Sequence, residues 1–275
     1  MSALCRTTLC LLAALPAFAQ SQQFAKITIK PALAGNGPAE PMQVLPGGDV
    51  AGSAVPVIAL LSYAYDLPSN PSPRLAKLPD WTIREKYEID AKAPANALAA
   101  GLQQSEVRAR VQQMIRGLLA DRFQLAMRVE NKTMPVYALT VAAGGPKLRR
   151  SEVAEKDCAR RSGTDACHNF AGGLGHALNA EAIDMDDLGR YISNWTDLPV
   201  VNRTGLSGLF RVNSEAWTPM RLPPPPPNAA AGAANPFAGL PTIFTVLGKL
   251  GLELKRQDET LPVYTVERIE RPSIN

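Results

Sequence analysis

The chain has 275 residues, of which 46% are apolar and 20% are charged. This composition supplies enough apolar material for a folded core and excludes an intrinsically disordered protein. Its 29 basic and 25 acidic residues are scattered and give a net charge of only +4, so we expect no nucleic-acid partner.

Residues 1–19 have the pattern of a secretory signal peptide. A single charge at Arg6 precedes an apolar run from Leu9 to Leu15, and Ala17-Phe18-Ala19 then supplies a small-x-small cleavage site. The apolar run is too short to span a bilayer, which takes about 20 residues. We therefore expect cleavage after Ala19 and an exported protein, periplasmic or extracellular, with no transmembrane segment after cleavage. A lipoprotein anchor at Cys10 is the alternative, but the residues before it do not resemble a lipobox.

The first part of the mature chain, residues 20–145, alternates strand and helix patterns. Period-two alternation predicts strands over 24–32 and 84–94, with a short strand around Val50. Apolar periodicity predicts a heavily buried helix over 55–68 and an amphipathic helix from Ser105, as N-cap, to about Asp121. A hairpin turning at Lys132 to Met134 is predicted to close the unit with strands over 123–131 and 135–143.

The second part, residues 177–275, follows the same order. Strands are predicted over 176–183 and 208–216, helices over 184–199 and 240–251, and a closing strand pair over 252–259 and 262–270. Asp184 is the expected N-cap of the first of these helices, with acidic residues in the first turn. A proline-rich insertion, 219–239, is read as a polyproline spacer and flexible loop, with a ligand for a proline-binding domain as the alternative.

The two parts share residues as well as element order. Pro135-Val136-Tyr137 recurs as Pro262-Val263-Tyr264, and Leu125, Met127 and Thr133 recur at the same offset as Leu252, Leu254 and Thr260. Tyr63 and Tyr191 both lie in the first helix of their unit. We therefore predict an α+β fold of two tandem β-α-β-α-β-β modules, each a small mixed sheet backed by two helices.

The segment between the modules, residues 146–176, is predicted to be a polar, glycine-rich linker. It holds Cys158 and Cys167, which we expect to form a disulfide in an exported chain. The alternative is a metal site completed by His168 and His176, but the ligand spacing does not suit structural zinc. We therefore predict a disulfide with surface histidines and no metal.

The search for a catalytic or cofactor site yields no motif. Ser207 lacks the surroundings of a nucleophile elbow, and no dinucleotide or phosphate-binding glycine pattern occurs. Asp184, Asp186 and Asp187 are interpreted as helix-capping residues rather than metal ligands or an acid/base pair. The basic runs from Lys147 to Arg150 and at Arg160-Arg161 are interpreted as solvated loops. We predict no catalytic and no cofactor-binding residue.

Ordered sequence blocks resemble a known family. The stretches "LPDWTIREKYEIDAKAP", "LLADRFQLAMRVENKTMPVYALTVAAGGPKL" and "DLPVVNRTGLSGLF" are similar to successive blocks of a soil-associated bacterial exported family of unknown function. That family also occurs C-terminal to antirepressor-type membrane sensor peptidases. Each half more weakly resembles the short N-terminal domain of secretins and TonB-dependent receptors, which implies a docking fold. The resemblance assigns no catalytic residue.

Together these observations predict a non-enzymatic module that binds or docks an unknown protein or a cell-envelope component. One alternative is a hydrolase or other enzyme with an unrecognised site between the modules. Another is the ligand-sensing domain of a signalling system.

Overall fold

The computed structural model describes residues 23–32, 41–68, 72–98, 101–161, 166–171, 175–220 and 237–273. The predicted signal peptide and the proline run from Pro223 to Pro227 lie outside these ranges. Within them the chain is α+β, with five α-helices and three small sheets.

The bounds of the elements are as follows. The strands are β1 (Lys26–Pro31), β2 (Gln43–Val44), β3 (Val50–Pro56), β4 (Leu75–Ala76), β5 (Lys86–Lys92), β6 (Ala126–Val141), β7 (Arg149–Arg150), β8 (Ala177–Ile183), β9 (Val200–Asn202), β10 (Phe210–Ala216) and β11 (Leu252–Arg268). The helices are α1 (Val57–Tyr65), α2 (Trp81–Arg84), α3 (Gln104–Arg122), α4 (Met185–Ser193) and α5 (Ile243–Lys249), with a 3-10 helix over Glu155–Arg160.

The first sheet is antiparallel with strand order β1-β5-β3-β2. Strand β5 buries Tyr87, Ile89 and Ala91, while Glu88 is exposed and Asp90 is half-buried, which confirms a strand within the predicted range 84–94. Helices α1 and α3 cover its buried face, and the apolar residues of α3 fall at helical spacing on that side. Helix α3 begins one residue before the predicted N-cap, because the Glu106 carboxylate accepts the Gln103 N–H at 2.9 Å.

The second sheet has the order β7-β10-β8 and is packed against α4 and α5. Helix α4 has the predicted N-cap: the Asp184 carboxylate accepts the Asp187 N–H at 2.7 Å, and Asp187 accepts the Asp184 N–H at 3.0 Å. This reciprocal pair satisfies two backbone donors that the first helical turn would otherwise leave open. The largest buried side chain of this core is Trp217, which is 1% exposed.

The third sheet joins the two halves through its two long central strands. Strands β6 and β11 pair antiparallel along almost their whole length, with Thr133 directly opposite Thr260 and their Oγ atoms 3.0 Å apart. Short parallel strands flank them: β4 pairs with β11 at Tyr264, and β9 pairs with β6 at Tyr137. The two Pro-Val-Tyr segments therefore lie on paired neighbouring strands.

The predicted hairpin at Lys132 to Met134 is wrong, as is the predicted closing strand pair of the second half. Each of these regions is one continuous strand, β6 of 16 residues and β11 of 17 residues. Prolines interrupt neither strand because of their register. The N–H groups of Tyr137 and Tyr264 point away from the β6–β11 pairing, toward Pro199 and Arg74, so those of residues 135 and 262 would point the same way. Proline at these two positions costs the pairing no hydrogen bond.

The long strands pass from one hydrophobic core to the other. Met127, near the start of β6, packs against the first core, whereas Tyr137 and Leu139 belong to the second. In the opposite direction, β11 starts in the second core at Leu252, and Ile269 beyond its end returns to the first core. Each core is therefore completed by residues from both halves of the chain. The predicted division at residue 145 stays a prediction.

The segment predicted as a linker is folded where it is described. It contributes β7 to the second sheet and contains the 3-10 helix. Cys158 packs with Ala182 and Leu209 in a small third cluster.

Candidate functional site

A cleft of about 390 Å³ lies between α1 and α4, and residues from both halves of the chain line it. This volume is within the range of small-molecule sites. We call it the central cleft. Its lining residues are Pro41, Met42, Ala59, Ser62, Tyr63, Leu67, Arg108, His168, Asn169, Phe170, Asp187, Arg190, Tyr191 and Asn194.

The first wall is built on α1 and α3. The Arg108 guanidinium lies over the Tyr63 ring, with its central carbon 4.5 Å from the ring centroid. It also donates from Nε and Nη2 to Asp66 Oδ1, at 3.1 and 2.7 Å. Burial alone would raise the pKa of Asp66, but the charge and hydrogen bonds of Arg108 outweigh burial and hold that pKa below its usual value. Burial raises the pKa of Tyr63. These contacts fix the positions of Arg108 and Tyr63 within the wall.

The second wall is built on α4 and on residues 168–170 of the linker segment. Asp187 accepts a hydrogen bond from Arg190, and its Oδ2 lies 2.5 Å from His168 Nδ1. The other imidazole nitrogen, Nε2, lies 3.1 Å from Glu155 Oε1. Phe170, two residues after His168, stacks on Tyr191 with ring centroids 4.2 Å apart and planes 22° apart. One histidine therefore ties the linker segment to both α4 and the 3-10 helix.

The protonation states in this wall follow from the same contacts. Burial lowers the pKa of His168, but the hydrogen bond to Asp187 and the surrounding carboxylates outweigh it, so the pKa is raised above 6.5. Burial would raise the pKa of Asp187, but His168 and Arg190 hold it below 3.8. Burial and the negative charge of Asp187 raise the pKa of Asp184. The contacts therefore favour the imidazolium form of His168 and the carboxylate form of Asp187.

The structure corrects the predicted surface position of His168. Its side chain is only 13% exposed, whereas His176 is exposed as predicted. The predicted disulfide is present between Cys158 and Cys167, with an S–S distance of 2.12 Å and a Cα–Cα distance of 5.4 Å. Both sulfurs are bonded to each other, so the metal alternative with the two histidines loses its thiolate ligands.

The capping role predicted for Asp184 and Asp187 is confirmed, but it is only part of what Asp187 does. Its spacing to Arg190 could have indicated an ion pair on one helix face. The contact with His168 comes from a segment 19 residues earlier and left no local signal. Trp81 and Trp217 do not line the central cleft: Trp217 is buried in the second core, and Trp81 lies under the Arg271 guanidinium.

The contacts of His168 bear on whether it could act as a general base. A histidine–aspartate pair can serve as a general base only if the second imidazole nitrogen is free and unprotonated. Here both nitrogens of His168 face carboxylates, and these contacts raise its pKa, which favours the protonated ring. The Ser62 hydroxyl in the central cleft donates to the Pro68 carbonyl at 2.9 Å rather than to a histidine.

In the part of the chain that the structure describes, no helix combines the length and the apolar character needed to cross a membrane. Neither a curated protein nor a solved structure matches the chain. A family model described as "Protein of unknown function (DUF3738)" matches residues 58–269 and so covers both walls of the central cleft. The chain belongs to the DUF3738 family.

Proposed function

We propose that this protein is an exported, non-enzymatic binding module that holds a segment of a partner protein or a cell-envelope component in its central cleft. The observation that carries the proposal is that the charged groups of each wall are already ion-paired within that wall. Arg108 is paired with Asp66, and Asp187 with both His168 and Arg190. A ligand therefore meets fixed aromatic faces and amides, and binding requires little ordering of side chains.

The composition of the cleft supports recognition of a ligand that has both an apolar face and polar edges. Tyr63, Phe170 and Tyr191 offer ring surface, while Asn169 and Asn194 add polar side chains to the lining, with the Asn194 amide donating to the Arg190 and Tyr191 carbonyls. Pockets that orient ligands commonly combine aromatic walls with a few fixed polar groups.

We further propose that the two halves descend from one doubled module. The short strands support this, because β9 pairs with β6 at Tyr137 and β4 pairs with β11 at Tyr264, the equivalent residue in the other half. Thr133 and Thr260, also equivalent and 127 residues apart, are paired with each other, as expected for an axis of approximate two-fold symmetry passing between them. Tyr63 and Tyr191 then face the central cleft from equivalent helices.

Two other functions remain as proposals. A hydrolase would use His168 and Asp187, and the geometry argues against this because both imidazole nitrogens are occupied. A ligand-sensing role would be consistent with the resemblance to domains attached to antirepressor-type sensor peptidases, and it would use the same cleft. The resemblance of the chain to a soil-associated bacterial family remains a proposal. The same holds for the resemblance of each half to the docking domain of secretins and TonB-dependent receptors.

The experiment uses the chain from Gln20 and fractionated envelope extract, with binding followed by hydrogen exchange and by calorimetry. We expect protection of α1 and α4 by one fraction. Phe170→Ala should weaken that binding about tenfold, which corresponds to about 1.4 kcal/mol. Phe244→Ala is the matched control, because Phe244 is 42% exposed and does not line the cleft.

Protection elsewhere, or equal binding by the two variants, would contradict the proposal. Conversion of an envelope component to a new product by the wild type, but not by His168→Gln, would establish the enzyme alternative instead.

A further inference from the structure

We infer that a second cleft, whose lining includes four arginines, is a binding site for a phosphate-bearing ligand. This arginine cleft has a volume of about 410 Å³. It is lined by Arg149, Arg150, Arg161 and Arg211, by Glu152 and Glu181, and by Ser151 and Val153. It shares no lining residue with the central cleft and does not depend on the function proposed for that cleft.

The arginines come from three separate places in the sequence. Arg149 and Arg150 form β7, Arg161 follows the 3-10 helix, and Arg211 lies in β10. In the sequence these basic runs have the pattern of solvated loops, but the fold brings them around one concave surface. Convergence of distant like charges is not produced by local sequence preference.

Two of the arginines are placed in an unfavourable register. Arg149 of β7 is directly opposite Arg211 of β10, so both side chains leave the same face of the sheet. Like charges directly opposite each other destabilise a strand pair. Of these two arginines, only Arg211 has a carboxylate partner among the described residues: its Nε donates to Glu181 Oε2 at 2.7 Å. A site that breaks a local rule in this way is expected to be functional or strained.

The charge of the cleft favours an anion. Its lining residues include four arginines and two glutamates, an excess of two positive charges, although the Arg150 side chain leaves the opposite face of the sheet from Arg149 and lies over Phe210. A phosphate monoester carries about −1.5 to −2 charges at neutral pH. Guanidinium forks also match phosphate oxygens in a bidentate arrangement, which a lysine cannot reproduce.

Neighbouring groups hold parts of the cleft lining in place. The Arg150 guanidinium stacks on the Phe210 ring, 4.6 Å from its centroid, and donates to the Ser207 carbonyl. The backbone N–H of Arg161 donates to the carbonyl of Cys158 at 3.0 Å, which fixes the main chain at this position next to the disulfide. Val153 packs against the small cluster that includes Cys158. Such backing reduces the ordering that binding would require.

The test measures binding of inorganic phosphate by calorimetry, and of vesicles of phosphatidylglycerol or of phosphatidylcholine by co-sedimentation, with the chain from Gln20. Arg149→Gln is expected to weaken binding about tenfold and to reduce its salt dependence. Arg128→Gln is the matched control: its side chain is 48% exposed, lies on the β6–β11 ribbon outside the cleft, and pairs with Glu130 and Glu267. It should change binding less than about twofold.

Binding of phosphate without vesicles would identify a soluble phosphate ester as the source, and binding of phosphatidylglycerol vesicles a lipid headgroup. A second readout separates a binding role from a structural one. If the arginines are there for a ligand, Arg149→Gln should leave the midpoint of thermal unfolding unchanged or raise it, because a repulsion is removed. Absence of binding to both phosphate and vesicles, or equal binding by the two variants, would overturn the inference. A lowered midpoint with unchanged binding would overturn it as well.

Discussion

Replacing Asp187 with asparagine tests whether the ion-pair cluster organises the second wall of the central cleft. Asp187→Asn keeps the shape of the side chain and an oxygen that can accept the Asp184 N–H, so the helix cap should largely survive. What it removes is the negative charge between His168 and Arg190. The side chain of Asp187 is 6% exposed, so those two cations lose a buried partner.

The expected magnitude follows from what remains around the two cations. Breaking a buried ion pair by removing one partner costs about 3 to 5 kcal/mol. His168 keeps Glu155, at 3.1 Å, and Asp184, at 3.9 Å, while the Arg190 side chain is 33% exposed and can be hydrated. We therefore expect a loss near the lower limit, about 3 kcal/mol of unfolding free energy.

The loss should depend on pH in a defined direction. The pKa of His168 is raised above 6.5 in the folded chain, so its stabilisation is complete below 6.5 and is lost as the pH rises through the folded value. The pKa of Asp187 is lowered, so its stabilisation is complete above 3.8 and is lost as the pH falls through the folded value. The variant should therefore differ most from wild type at about pH 5 and less in alkaline solution.

The assay measures the free energy of urea unfolding at about pH 5 and in alkaline solution, with Asp186→Asn as the matched control. Asp186 lies in the same helical turn but is exposed, and accepts a hydrogen bond from Asn202 at 3.0 Å, so its replacement should cost at most about 1 kcal/mol. Proton NMR of His168 should show its raised pKa falling in Asp187→Asn. A loss below about 1 kcal/mol, or one equal to that of the control, would refute this account of the cluster.

Two further results are expected. Replacing Cys158 and Cys167 together by alanine, or reducing the wild type, should lower the unfolding free energy by about 2 to 3 kcal/mol in urea titrations, because the bond closes a short loop; no change on reduction would show that the bond is not formed. Thr133→Cys with Thr260→Cys should oxidise to a cross-link detectable by mass spectrometry, since the two residues are opposed and do not exchange backbone hydrogen bonds. Thr133→Cys with Glu259→Cys is the control, as neighbouring residues point to opposite faces, and equal cross-linking in both would contradict the register.

Features set by neighbouring residues were predictable from the sequence. The cap of α4 at Asp184 needs only residues within one helical turn, and the burial of Tyr87, Ile89 and Ala91 needs only alternation along one strand. The α+β class follows from such elements. The disulfide was also predictable, because few cysteines remain after the predicted signal peptide.

Features that depend on residues distant in the sequence could not be predicted. Pro135 and Pro262 are typical of strand ends, and only the register shows that their missing N–H groups face away from the paired strand. The hairpin prediction failed for this reason. His168 likewise gained its role from Asp187 and Glu155, which meet it only in the fold. No periodicity along the chain encodes such a meeting.

The crossing of β6 and β11 between the two cores constrains the order in which the chain can mature. Ile269, which follows β11, packs against the first core. A nascent chain that ends at residue 145 lacks this contact and the whole of β11. We therefore expect the first core to be completed only after β11 has been synthesised.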